Sequence, residues 1–210
     1  MDTFYWYPGA CSFAVHAVLE ETGHPYDAKK IDIHGGENET AEYLAIHPRG
    51  LVPVLRTDDG LLTEAPAILL HLADRHPEAN LVPPAGTIER TRCLEWLLYG
   101  ATYPHPIFSR VMRAERYVTD PGAKETVQAK AKDDFWEALR LTDRKLEGRS
   151  FALGDAYSVC DPYLTVFYLW GRFVGLPLGE LAAYSKLAAR VVERPAIRKV
   201  IADEQLPVSL

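Results

Sequence analysis

The sequence predicts an α+β N-terminal half followed by an all-α C-terminal half, on three observations. Short apolar runs and amphipathic segments alternate over residues 1–77 in the order β-α-β-α-β-β-α. Residues 78–86 are rich in proline, a composition typical of a linker. Residues 87–210 contain long amphipathic segments and no convincing strand. We therefore expect a first domain over residues 1–77 and a helical domain over residues 87–210.

The first β-α-β unit consists of two strands around an amphipathic helix. Thr3–Tyr7 is rich in aromatic residues and ends at a Pro-Gly turn, which predicts a strand. A helix follows, with Ser12 as its expected N-cap and Gly23 as its C-cap. Tyr26–Ile33 is the second predicted strand, because its isoleucines alternate with polar neighbours.

The rest of the first domain combines a short helix, a hairpin and a third helix. Glu39–Ile46 predicts a short helix that stops before a proline. Val52–Leu55 is an apolar strand, and Asp59-Gly60 is a hairpin signal that leads into Leu61–Thr63. Glu64–Arg75 has its large apolar residues on one helical face, which predicts the third helix.

The second domain is expected to contain helices throughout. The predicted helical segments are 87–115, 123–147, 158–174, 178–192 and 196–204. Pro104 and Pro106 must break or kink the first of these segments. Ser158–Asp161 resembles a capping box in which Asp replaces the usual Glu or Gln, so a helix is expected to begin there.

Composition and charge disfavour several classes of function. The net charge of −6 gives no support to nucleic-acid binding, which usually needs a basic patch. The N-terminus lacks the features of a signal peptide, and no apolar stretch is long enough to span a membrane. Three cysteines do not form a disulfide framework, so we expect a cytoplasmic protein with reduced thiols. The histidines show no pairing at metal-ligand spacing, so no metal site is expected.

Cys11 stands where the first strand turns into the first helix, and it is the first candidate for chemistry. The N–H groups and dipole of a helix N-terminus favour an anion, so they can lower the pKa of a thiol there. An unperturbed thiol is only about 3% ionised at pH 7, and a two-unit decrease in its pKa would ionise roughly three-quarters of it. The alternative is a small apolar residue packed beside the turn. A cysteine without a C-x-x-C partner argues against an internal dithiol oxidoreductase and is compatible with chemistry on an external thiol.

Two further segments could bind an extended ligand. Pro53 enters a predicted strand, and a cis proline there would leave the backbone of Val52 available to a peptide-like ligand. An ordinary trans proline at a strand edge is the alternative. Glu64 stands at the start of the predicted third helix. It is either a simple capping carboxylate or a partner for a ligand ammonium group, with the N–H of Ala65 binding a ligand carboxylate.

In this order and spacing, these segments resemble those of the glutathione transferase family, and those of the bacterial beta class most closely. The resemblance extends over essentially the whole chain. The segments that carry it are YWYPGACS at 5–12, HPRG at 47–50, VPVL at 52–55, LTE at 62–64, Ile68 with LAD at 72–74, EWL at 95–97, GDAYSVCD at 154–161 and ERP at 193–195.

The resemblance implies the glutathione transferase fold, with a thioredoxin-like first domain, a helical second domain, and a homodimer that takes glutathione as co-substrate. It implies that Cys11 lies against the glutathione sulfur. Val52 would pair its backbone with the cysteinyl part of glutathione, beside a cis Pro53. Glu64 and the N–H of Ala65 would hold the γ-glutamyl end.

The resemblance also assigns His105, which falls where the beta class has an active-site histidine. The alternative for His105 is a loop residue at a helix kink. Trp6 occupies the position where other classes place a catalytic tyrosine. Strand alternation directs Tyr5 and Tyr7 to the face opposite Trp6, so we expect no tyrosine mechanism.

The chain also departs from the beta-class pattern around the expected ligand. Ala65 replaces a small hydroxyl residue, and the loop at residues 34–36 lacks the beta-class lysine. Either loss removes a polar partner of glutathione, which carries two carboxylates. Arg49 or His34 is the expected substitute for the lysine.

The expected function is conjugation of the glutathione thiolate to an apolar electrophile, without a metal. The expected apolar walls are Tyr7, Tyr103, Phe108, Met112 and Trp170. One alternative is a glutathione-dependent thiol-disulfide oxidoreductase that uses Cys11. A second alternative is a non-catalytic binding or regulatory protein with the same fold.

Overall fold

The computed structural model describes residues 1–207, which divide into two compact units. One unit comprises Met1–Pro84 together with the chain from Arg190 onward, and the other comprises Ala85–Ala189. The first unit contains a four-stranded mixed sheet with helices, and the second is mostly helical. The predicted fold class is therefore confirmed. The linker over residues 78–86 and the two domain limits stay predictions.

The sheet of the first unit has the strand order β2-β1-β3-β4. Its strands are β1 (Asp2–Trp6), β2 (Tyr26–Lys30), β3 (Val54–Thr57) and β4 (Gly60–Thr63). β1 pairs in parallel with β2 and antiparallel with β3, and β3 pairs antiparallel with β4. Because Thr57 pairs with Gly60, the hairpin turn is Asp58-Asp59, one position before the predicted turn.

Two strands are shorter than the apolar pattern predicts. β2 ends at Lys30, and the N–H of Ile33 turns back to the carbonyl of Ile31 at 2.9 Å in a tight turn. β3 begins at Val54, because Pro53 has no N–H to contribute to the ladder.

The helices are numbered along the described chain. They are α1 (Ser12–Thr22), α2 (Ala41–Ile46), α3 (Ala65–Arg75), α4 (Ile88–Thr102), α5 (Pro104–Met112), α6 (Pro121–Leu146), α7 (Cys160–Phe173), α8 (Ala182–Val192) and α9 (Pro195–Asp203). Gly23 ends α1 in the left-handed conformation, as predicted, with φ 64°. Ser12 is not the N-cap of α1 but its first residue. Its hydroxyl instead accepts a hydrogen bond from the N–H of Tyr7 and donates one to the Tyr7 carbonyl.

α9 packs on α1 within the first unit, although α9 comes from the far end of the chain. Arg194, just before α9, donates to both carboxylate oxygens of Glu21, at 2.5 and 2.8 Å. Lys199 donates to Glu20 at 3.0 Å. The sequence pattern predicts α9 as a helix but does not indicate that it packs on α1.

The second unit is stabilised by an aromatic core and a capped α7. Pro104 occupies the first position of α5, where its missing N–H costs nothing, so the prolines separate α4 from α5. The carboxylate of Asp161 accepts hydrogen bonds from the N–H and the hydroxyl of Ser158, at 2.7 and 3.0 Å, which confirms the predicted cap. Phe108 stacks on Trp170 with ring centroids 4.3 Å apart. Within residues 1–207, no helix combines the length and apolar character needed to cross a bilayer.

Candidate active site

The turn between β1 and α1 presents Cys11 to a neighbouring loop. Gly9 has φ 67°, and the N–H of Ala10 donates to the carbonyl of Tyr7 at 3.1 Å, which closes the turn. Cys11 follows as the N-cap of α1. Its thiol lies 3.5 Å from the carbonyl oxygen of Val52, to which it donates a hydrogen bond. The structure thus brings the first two candidate segments into direct contact.

The thiol of Cys11 is protonated at neutral pH in this setting. Its pKa is raised from 9.0 to about 12, mainly by burial and in smaller part by the negative charge of Glu64, while nearby backbone N–H groups act in the opposite direction. The hypothesis that the helix N-terminus lowers the pKa of Cys11 by two units is therefore wrong in direction. The cause is that desolvation of the buried sulfur outweighs the stabilisation that the N–H groups give to a thiolate.

The loop that precedes Val52 is held by its own buried contacts. Gly50 has φ 59°, and its N–H donates to the His47 carbonyl at 2.8 Å. The side-chain amide of Asn38 donates to the Gly50 carbonyl at 3.1 Å, and the hydroxyl of Tyr43 donates to the Leu51 carbonyl at 2.8 Å. The peptide bond that follows, Val52-Pro53, is cis, as the resemblance implies.

The third candidate segment lies at the start of α3. Glu64 is the N-cap and adopts φ 66°, an uncommon value for a residue other than glycine. Its carboxylate is exposed and accepts a hydrogen bond from the guanidinium of Arg49 at 3.3 Å. Ala65 contributes the first backbone N–H of α3, because Pro66, the next residue of the helix, has no N–H.

A chain of contacts therefore links six of the predicted site residues within the first unit. Cys11 contacts Val52, which precedes Pro53. Val54 pairs with Thr63 across the hairpin, and this pairing brings Pro53 and Glu64 to the same end of β3 and β4. Arg49 pairs with Glu64, and Ala65 follows Glu64 at the start of α3.

His105 belongs to the second unit. It is the second residue of α5, so the alternative of a loop residue at a kink is wrong. Its ring centroid lies 5.1 Å from that of Trp170 and 6.3 Å from that of Phe167. Its assignment to the active site stays a prediction.

The proposed apolar walls differ in exposure. Phe108 and Trp170 are buried, whereas Tyr103 and Met112 are exposed. Tyr7 is in edge contact with His34, with ring centroids 5.5 Å apart. These assignments also stay predictions.

Trp6 and Tyr5 lie on opposite faces of β1, as strand alternation predicts. Trp6 packs on His16 of α1, with ring centroids 5.5 Å apart. Tyr5 packs on Tyr43 of α2 at 6.0 Å, in a buried apolar cluster. Among the hydrogen bonds of residues 1–207, none joins Cys11 to the hydroxyl of Tyr5 or to the indole of Trp6.

Glu204 is a residue of the site that sequence reasoning missed. Its buried carboxylate accepts a hydrogen bond from the N–H of Gly9 at 2.9 Å, and its other oxygen lies 3.0 Å from Nδ1 of His16. Burial raises the pKa of Glu204, although the bonds from His16 and Gly9 act against the increase. No local signal marks this residue, because its partners are almost the whole chain away.

One group of possible metal ligands occurs near this network, in the part of the chain that the structure describes: His16, Glu20 and Asp203. The ammonium of Lys199 already donates to both carboxylates, to Glu20 at 3.0 Å and to Asp203 at 2.7 Å. The positive charge of Lys199 compensates the two carboxylates, so this group does not need a metal ion to balance its charge.

The chain is similar to glutathione transferases in sequence and in structure. The family model "Glutathione S-transferase, N-terminal domain" matches residues 2–74. Glutathione S-transferase GstA of Escherichia coli O157:H7 is 34% identical over 208 residues, which are 98% of this chain and 100% of the relative.

Two solved structures illustrate the structural similarity. A glutathione transferase homologue from Sulfitobacter with bound glutathione superposes with a TM-score of 0.93 at 28% identity, covering 98% of this chain and 99% of the other. A beta-class glutathione S-transferase from Sphingomonas chungbukensis gives a TM-score of 0.87 at 32% identity, covering 97% and 99% of the two chains. The chain therefore belongs to the glutathione S-transferase family.

Proposed function

We propose that this chain catalyses attack of the glutathione thiolate on an apolar electrophile, and that it is a beta-class enzyme. The observation that carries the proposal is the hydrogen bond from the Cys11 thiol to the Val52 carbonyl. It places a sulfur–hydrogen donor next to the backbone that would pair with the cysteinyl part of glutathione. The beta-class relative from Sphingomonas chungbukensis supports the assignment of class.

The γ-glutamyl end of glutathione has complementary partners at the start of α3. A carboxylate there would accept the N–H of Ala65 and gain from the positive end of the helix dipole. The exposed carboxylate of Glu64 would bind the ligand ammonium. Arg49 pairs with Glu64 in this structure, but an exposed pair of this kind contributes only about 0–1 kcal/mol, so Arg49 can turn to a ligand carboxylate at little cost.

Cys11 acts as a hydrogen-bond donor to the glutathione sulfur. A thiol with a pKa of about 12 keeps its proton at neutral pH, so it does not compete with glutathione as a nucleophile. Ionising most of a bound thiol at pH 7 requires a decrease in pKa of about two units, or about 2.7 kcal/mol. One hydrogen bond to a charged group contributes about 1.5–3 kcal/mol, so the Cys11 thiol and the N-terminus of α1 suffice.

The chemical step then follows from the charge on the glutathione sulfur. The bound thiol releases its proton to water, and the thiolate lone pair forms a sulfur–carbon bond with the electrophile, whose leaving group departs with the bonding electrons. On the family resemblance, His105 is proposed as the active-site histidine, and the predicted apolar walls are proposed as the reason for selecting apolar electrophiles. A homodimer and a cytoplasmic location are proposed on the family resemblance.

Thiol-disulfide exchange by Cys11 is the alternative that this geometry supports less well. Exchange requires a thiolate to attack a disulfide sulfur. With a pKa of about 12, only about one Cys11 thiol in 10⁵ would be ionised at pH 7.

The decisive experiment compares the wild type with Cys11→Ala and Cys11→Ser for conjugation of glutathione to 1-chloro-2,4-dinitrobenzene. Loss of the donor in Cys11→Ala should lower kcat/KM by about 10- to 150-fold. It should also raise the pKa of bound glutathione, which is measured from the absorbance of the thiolate. Cys11→Ser keeps a donor and should retain most of the activity. Unchanged rates and an unchanged thiolate pKa in Cys11→Ala would remove Cys11 from the mechanism.

Two further measurements separate the alternatives. Calorimetry with glutathione should show binding that Glu64→Gln weakens, and an absence of binding by the folded wild type would favour the non-catalytic protein. Turnover of a mixed disulfide between Cys11 and glutathione, faster than conjugation, would favour the oxidoreductase.

A further inference from the structure

The loop before β3 contains three consecutive carbonyl groups that each accept a hydrogen bond from a side chain. The side-chain amide of Asn38 donates to the carbonyl of Gly50 at 3.1 Å. The hydroxyl of Tyr43 donates to the carbonyl of Leu51 at 2.8 Å. Asn38 and Tyr43 are buried, so these two donors keep the first two carbonyls in fixed positions.

The third carbonyl, that of Val52, is held by a weaker donor. Its partner is the thiol of Cys11, whose Sγ lies 3.5 Å from the carbonyl oxygen. A thiol is a weak hydrogen-bond donor compared with an amide or a hydroxyl. Among the hydrogen bonds that residues 1–207 form, none involves the N–H of Val52. The backbone of Val52 is therefore the part of this loop that a ligand can engage with little loss of existing hydrogen bonding.

The proposed function assigns the Cys11 proton to a second acceptor, the sulfur of bound glutathione. A thiol has a single S–H, so Cys11 cannot donate to this sulfur while it donates to the carbonyl of Val52. Turning the thiol toward the ligand would leave the partly buried carbonyl without its donor. The cost of a buried acceptor without a partner is comparable to the gain from one hydrogen bond to a charged sulfur. The turn is therefore clearly favourable only when the ligand brings a replacement donor.

The ligand group that can replace the thiol is an amide N–H. In the proposed function, the cysteinyl part of glutathione pairs with the backbone of Val52, and this part carries an amide N–H as well as the thiol. An N–H···O bond to the carbonyl is stronger than the S–H···O bond that it replaces. The proton of Cys11 then becomes available to the sulfur of the same cysteinyl residue.

We propose that the Cys11 thiol changes its acceptor when glutathione binds, from the Val52 carbonyl to the glutathione sulfur, and that the cysteinyl N–H of the ligand takes its place on Val52. This inference rests on the proposed function and adds a rule of selection to it. A thiol that carries an amide N–H in the cysteinyl position is activated, whereas a thiol without that N–H leaves Cys11 on the Val52 carbonyl. The site therefore selects peptide thiols at the activation step as well as by affinity.

The test compares glutathione with its depsipeptide analogue, in which an ester oxygen replaces the cysteinyl N–H and removes that one donor. The pKa of each bound thiol is measured from the absorbance of the thiolate, relative to the same ligand in solution without protein. In the wild type, binding should lower the pKa of glutathione by about one to two pKa units more than that of the analogue, the contribution of one hydrogen bond to a charged group. Equal decreases for the two ligands would overturn the proposal.

Two variants of Cys11 connect this difference to the thiol proton. In Cys11→Ala the two ligands should show equal decreases in pKa, because no side-chain proton is left to change acceptor. In Cys11→Ser the hydroxyl again carries a single proton, so the difference between the ligands should return. A difference of unchanged size in Cys11→Ala would show that the ester acts without Cys11, and it would overturn the proposal. Failure of the proposed function is distinguishable, because Cys11→Ala would then leave the pKa of bound glutathione at its wild-type value.

Infrared spectroscopy provides an independent readout of the same proton. The S–H stretching band of Cys11 is obtained as the difference between the wild type and Cys11→Ser, in which the bands of Cys93 and Cys160 cancel. At a pH where bound glutathione is a thiolate, Cys11 keeps its proton, because its pKa is raised to about 12. Binding of glutathione should then move the band to lower frequency, since a hydrogen bond to an anion is stronger than one to a carbonyl. The depsipeptide analogue should leave the band in place. A band that glutathione does not move would show that the thiol stays on the Val52 carbonyl.

Discussion

The carboxylate of Glu204 accepts a hydrogen bond at 2.9 Å from the N–H of Gly9, two residues before Cys11. The other oxygen of this carboxylate pairs with Nδ1 of His16 on α1 at 3.0 Å. The residue that follows α9 therefore holds the turn that positions the Cys11 thiol. This contact fixes the turn before Cys11 through a residue 195 positions after Gly9.

Removal of the Glu204 carboxylate should destabilise the protein and disturb the active site together. Glu204→Ala leaves the N–H of Gly9 and the ring of His16 without their buried acceptor, at a cost of about 2–4 kcal/mol. Urea denaturation should show a lower midpoint at an unchanged slope. The matched control is the exposed neighbour in Asp203→Asn, which we expect to change the free energy of unfolding by less than about 1 kcal/mol. An equal loss in both variants would show that the buried contact to Gly9 has no special role.

The raised pKa of Glu204 predicts a dependence of stability on pH. Burial is the main cause of the increase above 4.5. Because the folded state holds this proton more tightly than the unfolded state, its contribution is fully present below the unfolded pKa. It is lost as the pH rises through the folded pKa. The free energy of unfolding of the wild type, relative to that of Glu204→Gln, should therefore decrease from pH 4 upward. A difference that is flat or increases over this range would contradict the prediction.

The buried thiol of Cys11 should be slow to react with alkylating reagents. Only the thiolate is the nucleophile, and an increase in pKa from 9.0 to about 12 lowers its population about a thousandfold below pH 9. The rate of modification by iodoacetamide, followed by mass spectrometry of the peptide that contains Cys11, should be low at pH 7 and should still be increasing at pH 10. The same cysteine in urea-unfolded protein is the control, and it should react at the rate of an ordinary thiol. A fast reaction of folded protein at pH 7 would mean that the helix N-terminus outweighs burial.

Features of the fold that depend on neighbours in sequence could be predicted, and the long-range contacts could not. The left-handed cap at Gly23 and the cap that Asp161 forms with Ser158 are local, because each joins residues within five positions of one another. The role assigned to Ser12 was wrong, since a hydroxyl at a helix start has several backbone partners and sequence does not select among them.

In the candidate site too, local features could be predicted and long-range effects could not. The family resemblance predicted the segments that contain Cys11, Val52 and Glu64. The electrostatic state of Cys11 depends on burial by residues that are remote in sequence, so a local argument from the helix dipole gave the wrong direction for its pKa. Glu204 has no local signature, because its carboxylate reaches Gly9 only after α9 has packed on α1.

Gly50 offers a test of how strictly the loop before Val52 must be held. Its φ is 59°, and a Cβ there would lie 2.5 Å from the carbonyl oxygen of Asn38, a backbone atom that cannot move away cheaply. Gly148 in the second unit also has positive φ, at 73°, but a Cβ there meets nothing within 4 Å. Gly148→Ala therefore measures the cost of the backbone conformation alone, about 1 kcal/mol.

Gly50→Ala should cost about 1–3 kcal/mol more than Gly148→Ala in urea denaturation, because the loop must move to relieve the clash. That movement displaces Val52, so the Kd for glutathione should increase in Gly50→Ala and stay unchanged in Gly148→Ala. Equal stability losses would show that the approach of Gly50 to Asn38 is not tight. A normal glutathione Kd in a destabilised Gly50→Ala protein would show that the loop holds Val52 without this contact.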